Sequence, residues 1–195
     1  MTTAPPPPAA EPAPALPPLL FLDVDGPLIP FGASRDQLPE GYPTYRSPHA
    51  APASADANPL LPRLDPALGP RLLALPCELV WATTWLHEAN ACVSPWLGLP
   101  RLPVVEWPDP SPESAAADTR AGVHWKTRAL TRWAARRPFA WADDEIGAAD
   151  RQWVAAHHPA PALLLHVDAR LGLTEDDFGT LEEWLRDVGN GAARR

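Results

Sequence analysis

Seven residues carry the chemistry of this sequence, six of them at or just beyond the end of an apolar run and one at the opening of an amphipathic stretch. They are Asp23 and Asp25 in Phe21-Leu-Asp-Val-Asp-Gly26, Thr83 and Thr84 after Val80-Trp-Ala, Lys126 in His124-Trp-Lys, and Asp143 and Asp144 after Phe139-Ala-Trp-Ala. Four carboxylates brought to one place repel one another unless a cation sits among them. Oxygen donors without Cys or His suit a hard ion. Mg²⁺ fits, because it takes one or two carboxylates and completes its shell with substrate oxygens. A lysine and a threonine hydroxyl facing that centre would bind an anionic group. Carboxylates, Mg²⁺, an ammonium and a hydroxyl are a set for phosphoryl transfer, where catalysis is mostly positioning and charge neutralisation. An aspartate can then be the nucleophile. Lys126 is the only lysine among 16 basic residues, which singles it out.

These residues need a scaffold that gathers them. Short apolar runs at Leu19–Val24, Glu78–Thr83, Leu102–Trp107, Phe139–Ala142 and Ala162–Val167 are continuous rather than alternating, as in strands buried on both faces of a parallel sheet. Between and after them the pattern predicts helices over about 66–75, 86–97, 124–137, 148–158 and 174–188. Asp65-Pro66 reads as an N-cap followed by Pro in the first turn. Thr174-Glu-Asp-Asp places a cap and acids where a helix dipole favours them. The alternation predicts an α/β fold: a doubly wound, mostly parallel five-stranded sheet with helices on both faces. Ligands of such sheets bind at the carboxyl ends of the strands, where six of the seven residues fall and towards which the helix opening at His124-Trp-Lys126 is expected to converge.

Residues 1–18, rich in proline, are expected to form a disordered tail, and residues 19–190 one folded domain. Within it, 27–64 reads as a flap, a long loop or small hairpin, and 108–122 as a second loop. With 46% hydrophobic and 21% charged residues, the chain fits a globular protein with a core. The 28 prolines among 195 residues exceed the usual share of about 5%. The formal net charge of -8 weighs against nonspecific nucleic-acid binding, which draws on Lys and Arg. No apolar run reaches the ~20 residues that span a bilayer, so no membrane partner is expected. Cys77 and Cys92 form neither a disulfide framework nor a four-ligand zinc site. Buried free thiols and the lack of a signal-peptide pattern give a cytoplasmic expectation.

The four motifs, in this order, resemble those of the haloacid dehalogenase (HAD) superfamily of phosphohydrolases over about residues 19–188. Its motifs are an apolar strand leading into Asp-x-Asp-Gly (Asp23-Val24-Asp25-Gly26), a strand ending in Thr or Ser (Thr83, or less well Thr84), a helix-borne Lys (Lys126), and a strand ending in an acidic pair (Asp143-Asp144). The resemblance implies that Asp23 attacks phosphorus and that Asp25 protonates the leaving group and then activates water. It implies that the Asp23 carboxylate, the Asp25 backbone carbonyl and Asp144 hold Mg²⁺, with Asp143 a ligand or a partner of one. Thr83 or Thr84 and Lys126 would bind the phosphoryl group. Pro27 departs from the Thr or Val usual after the first motif.

The presence of Asp25 disfavours a dehalogenase, and the order of lysine and acidic pair disfavours a receiver-type phospho-switch. A relative that binds without catalysis is the alternative. Residues 27–64 are too short and Pro-rich for a helical cap, so a capless or minimally capped member with an open site is implied. Its expected substrate is a small phosphorylated molecule. Phosphorylated nucleic-acid ends are the lesser option, because of the net charge. Trp85 is weighed between packing and stacking on a substrate ring, and His87 is read as a rim residue. His124 is weighed between approaching the site and a capping or surface place, which is favoured. Asp168 is read as rim or cap, and His157-His158 as a helix end rather than a metal site.

Overall fold

The stretch Leu19–Leu22 (β1) is buried throughout because both of its faces are covered. A computed structural model describes residues 16–49, 58–109 and 111–193 of the chain. The expected tail lies outside these residues up to position 15. Glu78–Trp81 (β2), Phe139–Asp143 (β3) and Ala162–His166 (β4) complete a sheet of order β2-β1-β3-β4. Every pair is parallel, with Phe21 opposite Val80 on one side and Trp141 on the other.

Alternate residues of β1 feed two cores. Leu20 and Leu22 join Trp81 and Ala140 under helices α1 (Leu68–Ala74), α2 (Ser94–Leu97) and α6 (Glu175–Ala193), through Leu72, Trp96, Phe178 and Leu181. Leu19 and Phe21 join Val80, Phe139 and Trp141 under α4 (Thr127–Ala134) and α5 (Ala148–His157), through Leu130, Ala134 and Val154. Burying each large side chain contributes roughly 1.5–3 kcal/mol. Helices therefore cover both faces, as in a doubly wound α/β fold. The order reverses beside β1, which places the topological switch point at the carboxyl ends of β1 and β3.

The sheet has four strands, not the expected five. Leu102–Trp107 contributes only a parallel bridge between Val104 and Trp81. Two ladder bonds form, from Trp81 N–H to Pro103 O and from Val105 N–H to Trp81 O. Pro103 has no N–H to donate, and Asn90 takes both backbone groups of Leu102 at 2.8 Å. The segment therefore stops short of a strand.

The expected loop at 108–122 holds a helix, α3 (Pro112–Ala121), with Ser111 as its cap, Pro in its first turn and Gly122 in the left-handed conformation at its end. These are ordinary stop and start signals, hidden among prolines. The helix expected over 86–97 opens as a π-turn at Ala89–Val93 before α2. Pro95 lacks the N–H that a regular helix needs there and its ring crowds the preceding turn. Among the described residues, 27–64 contains no hairpin; it is loop and turns, one of them closed by Gln37 and Leu38 N–H on Ser34 O, with a 3₁₀ turn at Leu61–Arg63. Thr174 and Asp177 cap α6 reciprocally, as its sequence predicts. Asp65 accepts from Ala67 N–H at 2.9 Å ahead of α1.

Candidate active site

Asp23 follows β1 directly and its N–H donates to Ala142 O of β3, so it stands at the centre of the sheet's carboxyl edge. Val24 O then accepts from both Leu28 N–H and Ile29 N–H, and Gly26 N–H donates to Ile29 O. This tight return leaves Pro27 without a bond to lose, and its carbonyl accepts from Leu173 N–H. Proline after Asp-x-Asp-Gly is therefore accommodated. Gly26 is required here on two counts. It has φ +84°, and a Cβ on it would lie 2.5 Å from Asp144 Oδ1. Gly26→Ala is expected to lower stability by roughly 1–3 kcal/mol through the strained backbone, and to push Asp144 out of place. Urea melts with Mg²⁺ calorimetry on the same variant check both effects.

Lys126 sits at the start of α4, almost wholly buried. Its Nζ donates to Asp23 Oδ2 at 2.5 Å and to Asp143 Oδ2 at 2.8 Å. Asp143 also accepts from Trp141 Nε1–H at 3.2 Å and from Glu145 N–H at 2.9 Å. One carboxylate oxygen from each of Asp23, Asp143 and Asp144 lies within 4.8 Å of the others. Burial pushes the Asp23 carboxyl up to about 7, against the pull of Lys126 and with the help of Asp143. Burial works against the Lys126 charge, but Asp23 and Asp143 together hold its pKa above the ordinary lysine range. Burial also raises Asp144, and Asp143 adds to the rise. Three acids with one partner cation have room electrostatically for another positive charge. All-oxygen donors of this kind fit a hard divalent ion such as Mg²⁺.

The Asp25 side chain is outside that group. Its Oδ2 accepts from Trp85 Nε1–H at 2.9 Å, a bond spanning sixty positions of sequence. Trp85 thus packs against the core and also holds Asp25 through its indole N–H. Thr83 is fully buried and Thr84 is exposed. Thr83 Oγ1 accepts from Trp85 N–H at 3.2 Å, which leaves the hydroxyl hydrogen available as a donor. Trp107 Nε1–H holds the Thr83 carbonyl at 3.0 Å. Three indoles, from Trp85, Trp107 and Trp141, therefore fasten three of the four motifs.

Asp150 was not singled out by sequence. It is buried, and it accepts from His124 N–H at 2.7 Å, Thr127 Oγ1–H at 2.5 Å and Gly147 N–H at 2.8 Å. It ties the turn that presents Lys126 to the loop after Asp143-Asp144. Its only sequence signal is an acid in the first turn of α5. His124 approaches the site. Its Nδ1 accepts from Lys126 N–H, and its Nε2 meets Glu145 at 3.0 Å. His87 is exposed and faces Glu106 at 3.6 Å. Asp168 caps no helix: it closes the turn after β4, accepting from Arg170 N–H and pairing with the Arg170 guanidinium, whose donors hold its carboxyl down at about 2.

His157 and His158 turn apart. The first stacks on Trp153 and bonds its carbonyl, and the second bonds Arg137 O. Cys77 and Cys92 are free and only partly buried. Burial pushes the Cys77 thiol up to about 12. Among the described residues, no helix is long and apolar enough to cross a membrane.

No curated protein and no solved structure matches the chain. Residues 19–178 match the family described as the HAD domain in Swiss Army Knife RNA repair proteins. That span runs from the first residue of β1 into α6 and includes all seven residues named from the sequence. With the parallel sheet, the acidic carboxyl edge and the buried lysine in place, the chain belongs to this HAD family and so to the HAD superfamily of phosphohydrolases.

Proposed function

We propose that the protein is a Mg²⁺-dependent phosphohydrolase that cleaves a phosphomonoester through an aspartyl-phosphate on Asp23. The observation that carries this reading is the carboxylate of Asp23 at the switch point, paired with Lys126 at 2.5 Å and gathered with Asp143 and Asp144. Asp23 attacks phosphorus, forming an acyl-phosphate bond while the bond to the ester oxygen breaks. Asp25 gives its proton to the departing oxygen. Water then attacks the phosphorus of the intermediate and passes a proton to Asp25. The bond to Asp23 breaks, and inorganic phosphate leaves. Lys126 and the Thr83 hydroxyl neutralise and orient the transferring group. The exposed position of Thr84 makes Thr83 the better donor. Trp85 holds one oxygen of Asp25, which leaves the other for proton transfer.

Asp23 and Asp144, with the Asp25 backbone carbonyl, would hold Mg²⁺, and Asp143, already engaged by Lys126 and Trp141, would support them. The ion would supply charge neutralisation at the phosphoryl oxygens. Calorimetry is expected to show Mg²⁺ binding that Asp144→Asn weakens strongly, and EDTA is expected to abolish phosphatase activity. Undiminished turnover in EDTA would remove the metal from the mechanism.

A second reading names the substrate. The family's description as part of RNA repair proteins favours a terminal phosphate of RNA over a small metabolite. Among the described residues of 27–64 the sole helical element is the 3₁₀ turn at Leu61–Arg63, which speaks against a helical cap and suits a polymer end. Turnover of 3′- and 5′-phosphorylated oligoribonucleotides against a panel of small phosphoesters tests it. A binding-only relative would turn over neither set.

A further inference from the structure

We propose that the cleft between α3 and α4 receives the base of the terminal nucleotide, so that the site reads a nucleotide end and not a phosphate alone. This rests on the RNA-end reading above. Trp125 precedes the buried Lys126 in sequence, yet 46% of its surface is exposed. Its ring centre lies 5.6 Å from Lys126 Nζ, so an aromatic face stands beside the place assigned to the phosphoryl group. Trp107 meets it edge-on, with ring centres 4.9 Å apart. The same Trp107 is tied to the Thr83 carbonyl. The two rings line a cleft of about 170 Å³ together with Asp109, Ser111 and Arg132. That volume is below the roughly 300–1,000 Å³ of sites for larger ligands, and suits one ring system. Stacking a base on an exposed indole is sequence-tolerant, because every base has a π face. Asp109 offers an acceptor to the base edge.

Charge points the same way. Residues 119–142 contain six basic side chains and no acid, in a protein of net charge -8. Arg128 is engaged by Asp118, and Arg137 by Glu78. Arg120, Arg132 and Arg136 are exposed and form no ion pair among the described residues. Arg132, on α4, lines the cleft and is placed to neutralise the phosphate that follows the terminal nucleotide. The acidic total thus conceals a stretch of chain, on both sides of the site's lysine, that carries basic residues and no acid.

The test uses oligoribonucleotides with the same terminal phosphate, at the 3′ or the 5′ end, whose last nucleotide either carries a base or is abasic. The wild-type protein is expected to favour the base-bearing end by roughly 5- to 150-fold in kcat/KM. Trp125→Ala is expected to collapse that preference towards unity, and Trp125→Phe to restore part of it. In equilibrium binding to the base-bearing oligonucleotide, Arg132→Gln is expected to reduce the salt slope by about one. Thermal melts establish that each variant is folded. If Trp125→Ala is not, Trp125→Phe and Arg132→Gln carry the test. Equal turnover of base-bearing and abasic ends by the wild type would overturn the cleft assignment and leave the RNA-end reading standing. Hydrolysis of small phosphoesters with no turnover of either oligonucleotide would overturn both.

Discussion

Asp23→Asn is expected to be inactive towards every phosphomonoester and to take up no phosphoryl group, whereas Asp25→Asn, given an activated ester, should accumulate a covalent adduct. The two aspartates stand two positions apart, but the fold gives them different surroundings. Asp23 is buried against Lys126, and Asp25 is half-exposed and held by Trp85. Without the Asp23 carboxylate there is no nucleophile, so no intermediate forms. Asp25 acts twice, as acid when the ester oxygen leaves and as base when water attacks. A good leaving group such as p-nitrophenolate needs little protonation, so the first step survives in Asp25→Asn while the second slows. Intact mass measured after mixing with p-nitrophenyl phosphate then shows the trapped aspartyl-phosphate. Full activity in both variants would remove the covalent mechanism. A wild type without turnover, together with an Asp25→Asn variant that gains no mass, would identify a binding protein.

Lys126→Met is expected to reduce kcat by about 10²-fold or more, the usual cost of removing a preorganised charge partner of a developing oxyanion. The structure adds a stability effect that sequence alone does not suggest. Lys126 is buried between Asp23 and Asp143, so its loss leaves two neighbouring buried carboxylates without their partner. Breaking a buried pair in this way costs roughly 3–5 kcal/mol. Protonation of Asp23, whose pKa is already raised to about 7, relieves part of it. Activity must therefore be normalised to the folded fraction, measured by circular dichroism in the same buffer. Lys126→Arg keeps the charge and is expected to recover stability better than rate, because a guanidinium does not fit the 2.5 and 2.8 Å contacts of a compact ammonium. Near-normal turnover in folded Lys126→Met would pass the role to an arginine. Arg120 would then be the candidate, because Arg128 is held by Asp118.

What the sequence by itself determined was the local grammar of the site. Continuous apolar runs mark strands buried on both faces, because only such strands exclude polar residues for their whole length. The acids, the threonine and the lysine stand at the ends of those runs or at a helix start, and in an α/β sheet these ends share one edge. The α/β class, the resemblance and the seven residues followed from short-range pattern. The fifth strand failed because Pro103 and the Asn90 side chain intervene in the backbone bonding of 102–105. The helix Pro112–Ala121 was missed because its cap lay among prolines that read as loop. Only the tertiary structure decided the contacts between distant positions. Lys126 reaches Asp23 across 103 residues, Trp85 reaches Asp25 across 60, and Asp150 joins the turn before α4 to the loop before α5. Such pairs leave no periodicity in the chain. They depend on strand order and on which face each helix covers, and those are set by how the whole core packs.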